Sequence, residues 1–215
     1  MDAFGVRPVL EKMARQLADQ GYYVLVPNLY SRHGPTPVVE LPDHIGEEAR
    51  PAVFAELMPL IGAHTTERAL RDADAYLRFL TAQPEVSPGP VAVMGYCMGA
   101  VLALRTAAAH PDQVAAVAGF HPGELVTEAP DSPHRLAADI TAQVHIGLAE
   151  DDMTPEAVGE LNQALDAAGV DYTCEVYPDT VHGFSMADTD AFSASALQRH
   201  WDRLLPLLGR TLATS

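Results

Sequence analysis

Residues 91–99 read VAVMGYCMG, and this stretch decides the fold. Residues 91–94 form a continuous apolar run, which is typical of a strand that is buried on both faces. The pattern GYCMG at 95–99 follows directly, and an alanine-rich segment at about 98–109 predicts a helix. A strand, a glycine turn and a helix in this order fit the G-x-S-x-G nucleophile turn, with sulfur in place of oxygen.

Cys97 occupies the nucleophile position of this turn. Gly95 and Gly99 allow strand and helix to approach closely around a residue with a strained backbone. A thiol at a helix N-terminus is stabilised as a thiolate by the helix dipole. The backbone N–H of Met98 would then point toward the oxyanion of a tetrahedral intermediate. We predict Cys97 as a catalytic nucleophile; the alternative is a buried structural cysteine in an ordinary glycine turn.

A base and an acid are expected later in the chain, each beyond the carboxyl end of a strand. His182 is the best placed of nine histidines, because it follows a predicted strand at 172–177. Gly183 also leaves space beside it. Three carboxylates follow the predicted strand at 144–148: Glu150, Asp151 and Asp152. Any one of them could orient an imidazole, and spacing alone does not choose between them.

The rest of the chain alternates between helical and strand patterns. This alternation predicts an α/β fold with a mostly parallel sheet and helices on both faces. Further strands are predicted at 22–26 and 114–119. Further helices are predicted at 6–17, 51–61, 66–81, 155–168 and 190–208. No repeat or linker divides the sequence, so we expect one domain over residues 1–215.

Composition excludes several classes of function. The formal net charge of −16 argues against a nucleic-acid partner, because binding to phosphates needs a positive surface. No apolar run is long enough to span a membrane, and the N-terminus does not have the pattern of a secretory signal. Only two cysteines occur, which favours a cytoplasmic protein with reduced thiols. The sequence contains neither H-E-x-x-H nor paired C-x-x-C, so no metal or other cofactor is predicted.

Three segments together resemble the dienelactone hydrolase family, whose members are α/β-hydrolases with a Cys-His-Asp triad. They are GYYVLVPNLY at 21–30, GYCMG at 95–99 and HGF at 182–184. The family's acid stands four residues before a proline, so Pro155 selects Asp151. The resemblance implies that Cys97, His182 and Asp151 form the triad of an ester or lactone hydrolase.

The resemblance also implies roles outside the triad. Residues 2–5 (DAFG) resemble the family's oxyanion loop. Ala3 would supply a second oxyanion N–H, and Asp2 would hold the resting thiol until substrate binds. Arg32 matches an arginine that binds the carboxylate of dienelactone. Tyr96 is predicted to contact substrate. His121 either lines the pocket, or lies at the surface or behind the residues that touch substrate.

Two departures from the family pattern concern the substrate and the start of the chain. Met186 stands where a second carboxylate-binding arginine is expected, so neutral esters should be better substrates than anionic dienelactone. The family places a further strand before the oxyanion loop, between the strands that we predict at 22–26 and 91–94. Because this chain starts at that loop, we expect the polypeptide beginning at Met1 to be truncated at its N-terminus.

The expected reaction is a two-step acyl transfer to water with a small-molecule ester or lactone, through a thioester on Cys97. A thioesterase or general carboxylesterase acting on neutral substrates is the alternative within enzymes. A non-catalytic, hydrolase-like binding protein is the alternative from another class. The sequence does not indicate an oligomeric state.

Overall fold

The N-terminal part of the computed structural model, which describes residues 1–212, contains three α-helices. They are α1 (Pro8–Ala18), α2 (Arg50–Ala63) and α3 (Thr66–Thr81), and a short 3₁₀ helix spans Ser31–His33. Leu10, Met13 and Leu17 of α1 are buried, as the helical spacing predicts. The hydroxyl of Thr65 caps α3 by accepting the N–H of Arg68.

Four parallel strands form the sheet in the order β1-β2-β3-β4. They are β1 (Val91–Cys97), β2 (Val114–Pro122), β3 (Gln143–Leu148) and β4 (Tyr172–Val176). The inner strands β2 and β3 are almost completely buried, whereas β1 and β4 are partly exposed. The carboxyl ends of all four strands lie at one edge of the sheet, because the strands are parallel. Catalytic and binding residues of open α/β sheets collect at that edge.

Three further helices follow the strands. They are α4 (Met98–Ala109), α5 (Pro155–Ala168) and α6 (Ala194–Thr211). α4 packs on β1 and β2, while α6 packs on β2 and β3. α5 packs against a 3₁₀ helix at Pro133–Asp139. The α/β class with a parallel sheet is therefore confirmed, and the predicted helices begin and end within a few residues of the observed bounds.

The predicted strand at 22–26 is wrong. Residues 22–28 have no regular secondary structure, and within residues 1–212 no strand pairs with them. Tyr23 is 45% exposed, so this run is not the fully buried strand that its apolar composition indicates. An apolar run becomes a strand only when a neighbour supplies the partners for its N–H and C=O groups, and periodicity does not reveal such a neighbour.

The chain divides into two compact units. The first contains Met1–Pro88 and Met186–Asp190; the second contains Gly89–Ser185 and continues from residue 191. Inside the first unit, the 186–190 segment joins the N-terminal part through an isolated parallel bridge between Ile45 and Thr189. The sheet and helices α4, α5 and α6 all belong to the second unit. A single domain over the whole chain stays a prediction.

Candidate active site

The turn between β1 and α4 has the strand–turn–helix geometry that the sequence predicts. Cys97 ends β1 and directly precedes α4, with φ 52° and ψ −122°. Such a conformation costs a non-glycine residue about 1–3 kcal/mol, and it is concentrated at functional sites. A Cβ atom at Gly95 would overlap the backbone carbonyl group of Gly99. This close approach explains why the turn needs glycine on the strand side.

Met98 is the first residue of α4. The N–H groups of a first helical turn point out of the helix end, where the dipole favours negative charge. An oxyanion beside the N–H of Met98 would therefore be stabilised.

His182 and Asp152 form a hydrogen-bonded pair that also includes the thiol. Nδ1 of His182 lies 2.6 Å from Oδ1 of Asp152, whose side chain is fully buried. Cys97 forms a hydrogen bond with the same imidazole. Burial lowers the pKa of His182, but the hydrogen bonds with Asp152 and Cys97 outweigh burial and raise the pKa to about 10. A thiol, an imidazole and a buried carboxylate in series are the arrangement that activates a nucleophile.

The predicted acid, Asp151, stays a prediction, but in this structure Asp152 is the carboxylate that bonds the imidazole ring. Asp151, which Pro155 selected, accepts the backbone N–H of His182 at 2.7 Å, and its side chain is exposed. Asp152 takes the position on the imidazole instead. Its second carboxylate oxygen accepts the N–H of Ala149 at 2.6 Å. The turn after β3 therefore folds Asp152 back over the strand end and directs Asp151 toward the histidine backbone, which a count of residues to Pro155 does not reveal.

The remaining carboxylate of this run also holds the histidine segment. Oε1 of Glu150 accepts the N–H of Asp179 at 3.2 Å, and the backbone N–H of Glu150 donates to Thr180 at 3.3 Å. The hydroxyl of Thr180 donates to the carbonyl of Tyr177 at 2.7 Å. The three consecutive acidic residues thus bind the segment between β4 and His182, a role that sequence reasoning missed.

The substrate contact predicted for Tyr96 stays a prediction, and the structure shows a buried side chain. It is 4% exposed, and its hydroxyl lies 3.0 Å from Nε2 of His200 in α6. Its ring stacks on Phe120 with centroids 5.9 Å apart. Neighbouring residues of a strand point to opposite faces, so Tyr96 lies under the sheet when Cys97 faces the site.

His121 lies at the carboxyl end of β2, close to His182. It is 1% exposed, and its ring makes an edge contact with the ring of His182 at a centroid distance of 5.4 Å. Nε2 of His121 is 2.7 Å from the hydroxyl of Ser185, which is fully buried. The substrate-binding role of His121 stays a prediction. Sequence reasoning missed Ser185.

Arg32 is already paired with a carboxylate. Its guanidinium forms two hydrogen bonds with Asp72 of α3, at 2.5 and 2.6 Å. The bond to Arg32 holds the pKa of Asp72 below its usual range, so the partner is ionised at neutral pH. A bidentate partner occupies the fork that would bind a substrate carboxylate. The substrate-binding role of Arg32 stays a prediction.

Asp2 and Ala3 lie in the first unit, and their predicted roles toward the thiol stay predictions. Asp2 is buried, and both of its carboxylate oxygens bind Arg7, at 2.7 and 2.9 Å. The carbonyl of Ala3 accepts the hydroxyl of Tyr30 at 2.9 Å. Arg7 also bonds Asp188 at 2.6 Å, so it holds residues 2–5 and 186–190 together within this unit. Sequence reasoning missed Arg7.

The described residues contain neither a cluster of metal ligands nor a membrane-spanning helix. Among residues 1–212, no three His, Cys, Asp or Glu side chains converge to form a metal site. None of the helices in that range combines the length and apolar character that crossing a membrane requires.

Comparisons with known proteins agree with this architecture. The sequence profile of the dienelactone hydrolase family matches residues 1–212. A carboxymethylenebutenolidase of Rhodococcus opacus is 29% identical over 98% of this chain and 79% of its own length. A Klebsiella pneumoniae structure assigned as a dienelactone hydrolase has a TM-score of 0.82 at 23% identity, covering 97% of this chain and 84% of that one.

A second solved structure is similar over the same range. It is a dienelactone hydrolase-like promiscuous phosphotriesterase from metagenomic libraries, with a TM-score of 0.76 and 25% identity, covering 98% of this chain and 83% of that one. Because the family profile matches nearly the whole chain, this protein is a member of the dienelactone hydrolase family.

Proposed function

We propose that this protein hydrolyses a carboxylic ester or lactone through a triad of Cys97, His182 and Asp152. Family membership makes it an ester or lactone hydrolase, and the observation that supports this triad is the 2.6 Å contact between Nδ1 of His182 and Asp152. The thiol on the same imidazole lies in a strained turn at a helix N-terminus. A small-molecule ester or lactone is the substrate class.

In the first step, the Cys97 thiolate attacks the substrate carbonyl carbon and a C–S bond forms. The N–H of Met98 stabilises the oxyanion, and the family resemblance assigns a second N–H to Ala3. The tetrahedral intermediate collapses when the C–O bond to the leaving alkoxide breaks. His182 gives its proton to that alkoxide, and a thioester remains on Cys97.

In the second step, neutral His182 takes a proton from water as the water attacks the thioester. The C–S bond breaks, the carboxylic acid leaves, and His182 is again protonated beside the thiolate. Asp152 holds the Nδ1 proton throughout, which fixes the tautomer and stabilises the imidazolium.

Two observations favour neutral esters or thioesters over an anionic lactone. Arg32 is neutralised by Asp72, and Met186 is buried and carries no charge. One of the two positions therefore holds an arginine that is already paired, and the other holds no arginine, so neither can readily bind a substrate carboxylate. A neutral-substrate carboxylesterase or thioesterase is the second candidate, on the same triad.

The chain has only two cysteines, which makes the test of the nucleophile sharp. Incubation with p-nitrophenyl acetate followed by an acid quench should leave an acetyl group on the Cys97 peptide, and hydroxylamine should remove it. Cys97→Ala should abolish both acetylation and turnover. Cys174→Ala is the control, because burial raises the pKa of the Cys174 thiol to about 11 and keeps it protonated.

Retained turnover in Cys97→Ala would exclude the thiol as nucleophile. Absence of acetylation and turnover in the wild-type protein, on a panel of lactones, aryl esters, thioesters and an aryl phosphotriester, would favour the non-catalytic binding protein instead.

A further inference from the structure

His121 interrupts the regular pairing of β1 with β2 beside the nucleophile. Tyr96 pairs with Phe120, but Cys97 pairs with Pro122, so His121 is the extra residue of a bulge. Its φ of 35° lies in a region of backbone conformation that residues other than glycine seldom adopt. Bulges next to active sites redirect a side chain, and here the ring is directed toward Ser185.

Ser185 ends the segment that carries His182. The backbone of this segment is fixed at Phe184, whose carbonyl accepts the N–H of Ser193 at 2.9 Å. Ser185 is fully buried, and its hydroxyl lies 2.7 Å from Nε2 of His121. One hydrogen bond therefore connects the end of the nucleophile-bearing sheet with the segment of the general base.

The rings around this bond form a continuous contact. His121 meets Phe184 edge-on at a centroid distance of 5.0 Å and meets His182 edge-on at 5.4 Å. His121 also stacks on Tyr96 at 5.7 Å. A displacement of the His121 ring would therefore remove packing from the imidazole of His182.

We infer that His121 and Ser185 are a positioning pair for the reaction proposed above: their bond holds the 182–185 segment so that His182 contacts Asp152 and Cys97 together. Neither residue touches the reacting atoms. They act through His182, whose ring orientation decides whether one imidazole reaches both partners.

The inference predicts a loss in kcat with an unchanged KM. Ser185→Ala and His121→Leu should each lower kcat for p-nitrophenyl acetate about tenfold, because a small misplacement of the base slows both proton transfers. KM should change less than about twofold. His121→Gln keeps a side-chain amide that reaches Ser185 and should recover most of kcat. The double variant should lose little more than either single variant, because both remove the same bond.

A spectroscopic readout separates positioning from mere packing. NMR titration of His182 in the substrate-free protein should give a midpoint near the pKa of about 10 in the wild type, because bonds to Asp152 and Cys97 outweigh burial. The groups facing the His182 ring are Cys97, Asp152 and His121, and Asp151 bonds its backbone. In Ser185→Ala the midpoint should fall, since the ring loses those bonds while burial remains.

The matched control is Ser132→Ala. Ser132 is also fully buried and its hydroxyl lies 2.8 Å from Nδ1 of His134, so the change removes a serine–histidine bond away from the site. The same hydroxyl also bonds the N–H of Thr127 and the carbonyl of Leu125. This variant should therefore lose at least as much thermal stability as Ser185→Ala but keep kcat and the His182 midpoint.

Unchanged kcat and an unchanged His182 midpoint in Ser185→Ala would overturn the positioning role while leaving the Cys97 mechanism intact. If Ser185→Ala does not fold, the same comparison between His121→Leu and His121→Gln decides, and equal kcat values in that pair overturn the inference. A wild-type protein that neither acetylates Cys97 nor turns over any substrate of the panel overturns the proposed function and this inference together.

Discussion

The imidazole of His182 and the carboxylate of Asp152 lie 2.6 Å apart, with the carboxylate fully buried and the imidazole 27% exposed. One side of the pair is therefore shielded from water while the other remains open to the site. The adjacent carboxylate, Asp151, accepts the backbone N–H of the same histidine. Two consecutive aspartates thus have different roles, one toward the ring and one toward the chain.

Asp152→Asn is expected to lower kcat by several orders of magnitude. The amide cannot stabilise the imidazolium and can impose the wrong tautomer; the corresponding change in serine proteases costs about 10⁴-fold. Asp151→Asn is the matched control, because the amide oxygen still accepts the backbone N–H, and kcat should change less than about threefold. Steady-state kinetics with p-nitrophenyl acetate measure both. The reverse ranking of the two variants would restore Asp151 as the acid.

Asp72→Asn is expected to improve hydrolysis of anionic dienelactone relative to p-nitrophenyl acetate. The change releases the Arg32 guanidinium from its two bonds, so it can pair with a substrate carboxylate. A charged hydrogen bond contributes about 1.5–3 kcal/mol, which corresponds to a gain of about tenfold or more in kcat/KM. Asp74→Asn is the control, since Asp74 pairs with the exposed Arg78 on the same helix. If the ratio of kcat/KM for dienelactone to kcat/KM for p-nitrophenyl acetate is the same in both variants, Arg32 does not take part in substrate recognition.

Gly95→Ala is expected to destabilise the protein by about 3 kcal/mol or more, because the new methyl group would overlap the backbone of Gly99 at the start of α4. Gly159→Ala is the control. Gly159 lies inside α5 with no atom within 4 Å of a Cβ, so alanine should be neutral or stabilise the helix by about 0.5–1 kcal/mol. Urea unfolding measures both, and a Gly95→Ala protein as stable as wild type would contradict the close approach.

Two buried histidines predict a loss of stability in acid. Burial lowers the pKa of His145 to about 4 and that of His200 to about 3. In the unfolded chain each titrates near 6.5, so as pH falls the unfolded state binds protons first. The stability from these neutral histidines is fully present above about pH 6.5 and is lost progressively toward pH 4 and 3. Over that window the free energy of unfolding falls by about 3 kcal/mol on account of His145 and about 5 kcal/mol on account of His200.

His145→Gln should therefore flatten the fall in Tm between pH 6.5 and 4. The amide can still bond the hydroxyl of Tyr177, which lies 3.3 Å from Nε2 of His145, but it does not titrate. His182, with a pKa of about 10, stays protonated in the folded protein throughout this window. His33→Gln, at an exposed position, is the control. An equal pH dependence of Tm in wild type and His145→Gln would contradict the prediction.

Local sequence patterns were sufficient to predict most of the helices and strands. The GYCMG turn between an apolar run and an alanine-rich segment predicts the β1–Cys97–α4 unit, because steric exclusion at Gly95 and the backbone strain at Cys97 are local properties. The helix at 66–81 and the last three strands follow from periodicities that side-chain burial imposes on helices and strands. The prediction of a strand at 22–26 was wrong because a strand needs a neighbouring strand to bond its N–H and C=O groups. The residues of the segment itself do not reveal whether such a strand is present.

The site was determined by the sequence only in part. Residue type and chain order selected Cys97 and His182, since a thiol in such a turn and a histidine after a later strand have few alternatives. Among Glu150, Asp151 and Asp152, however, the path of the turn after β3 decides which carboxylate meets the imidazole, and one residue of difference reverses the direction of a side chain. The same holds for the bond between His121 and Ser185, which joins residues 64 positions apart. Contacts of this kind depend on the three-dimensional packing of separate strands, so only the tertiary structure could assign them.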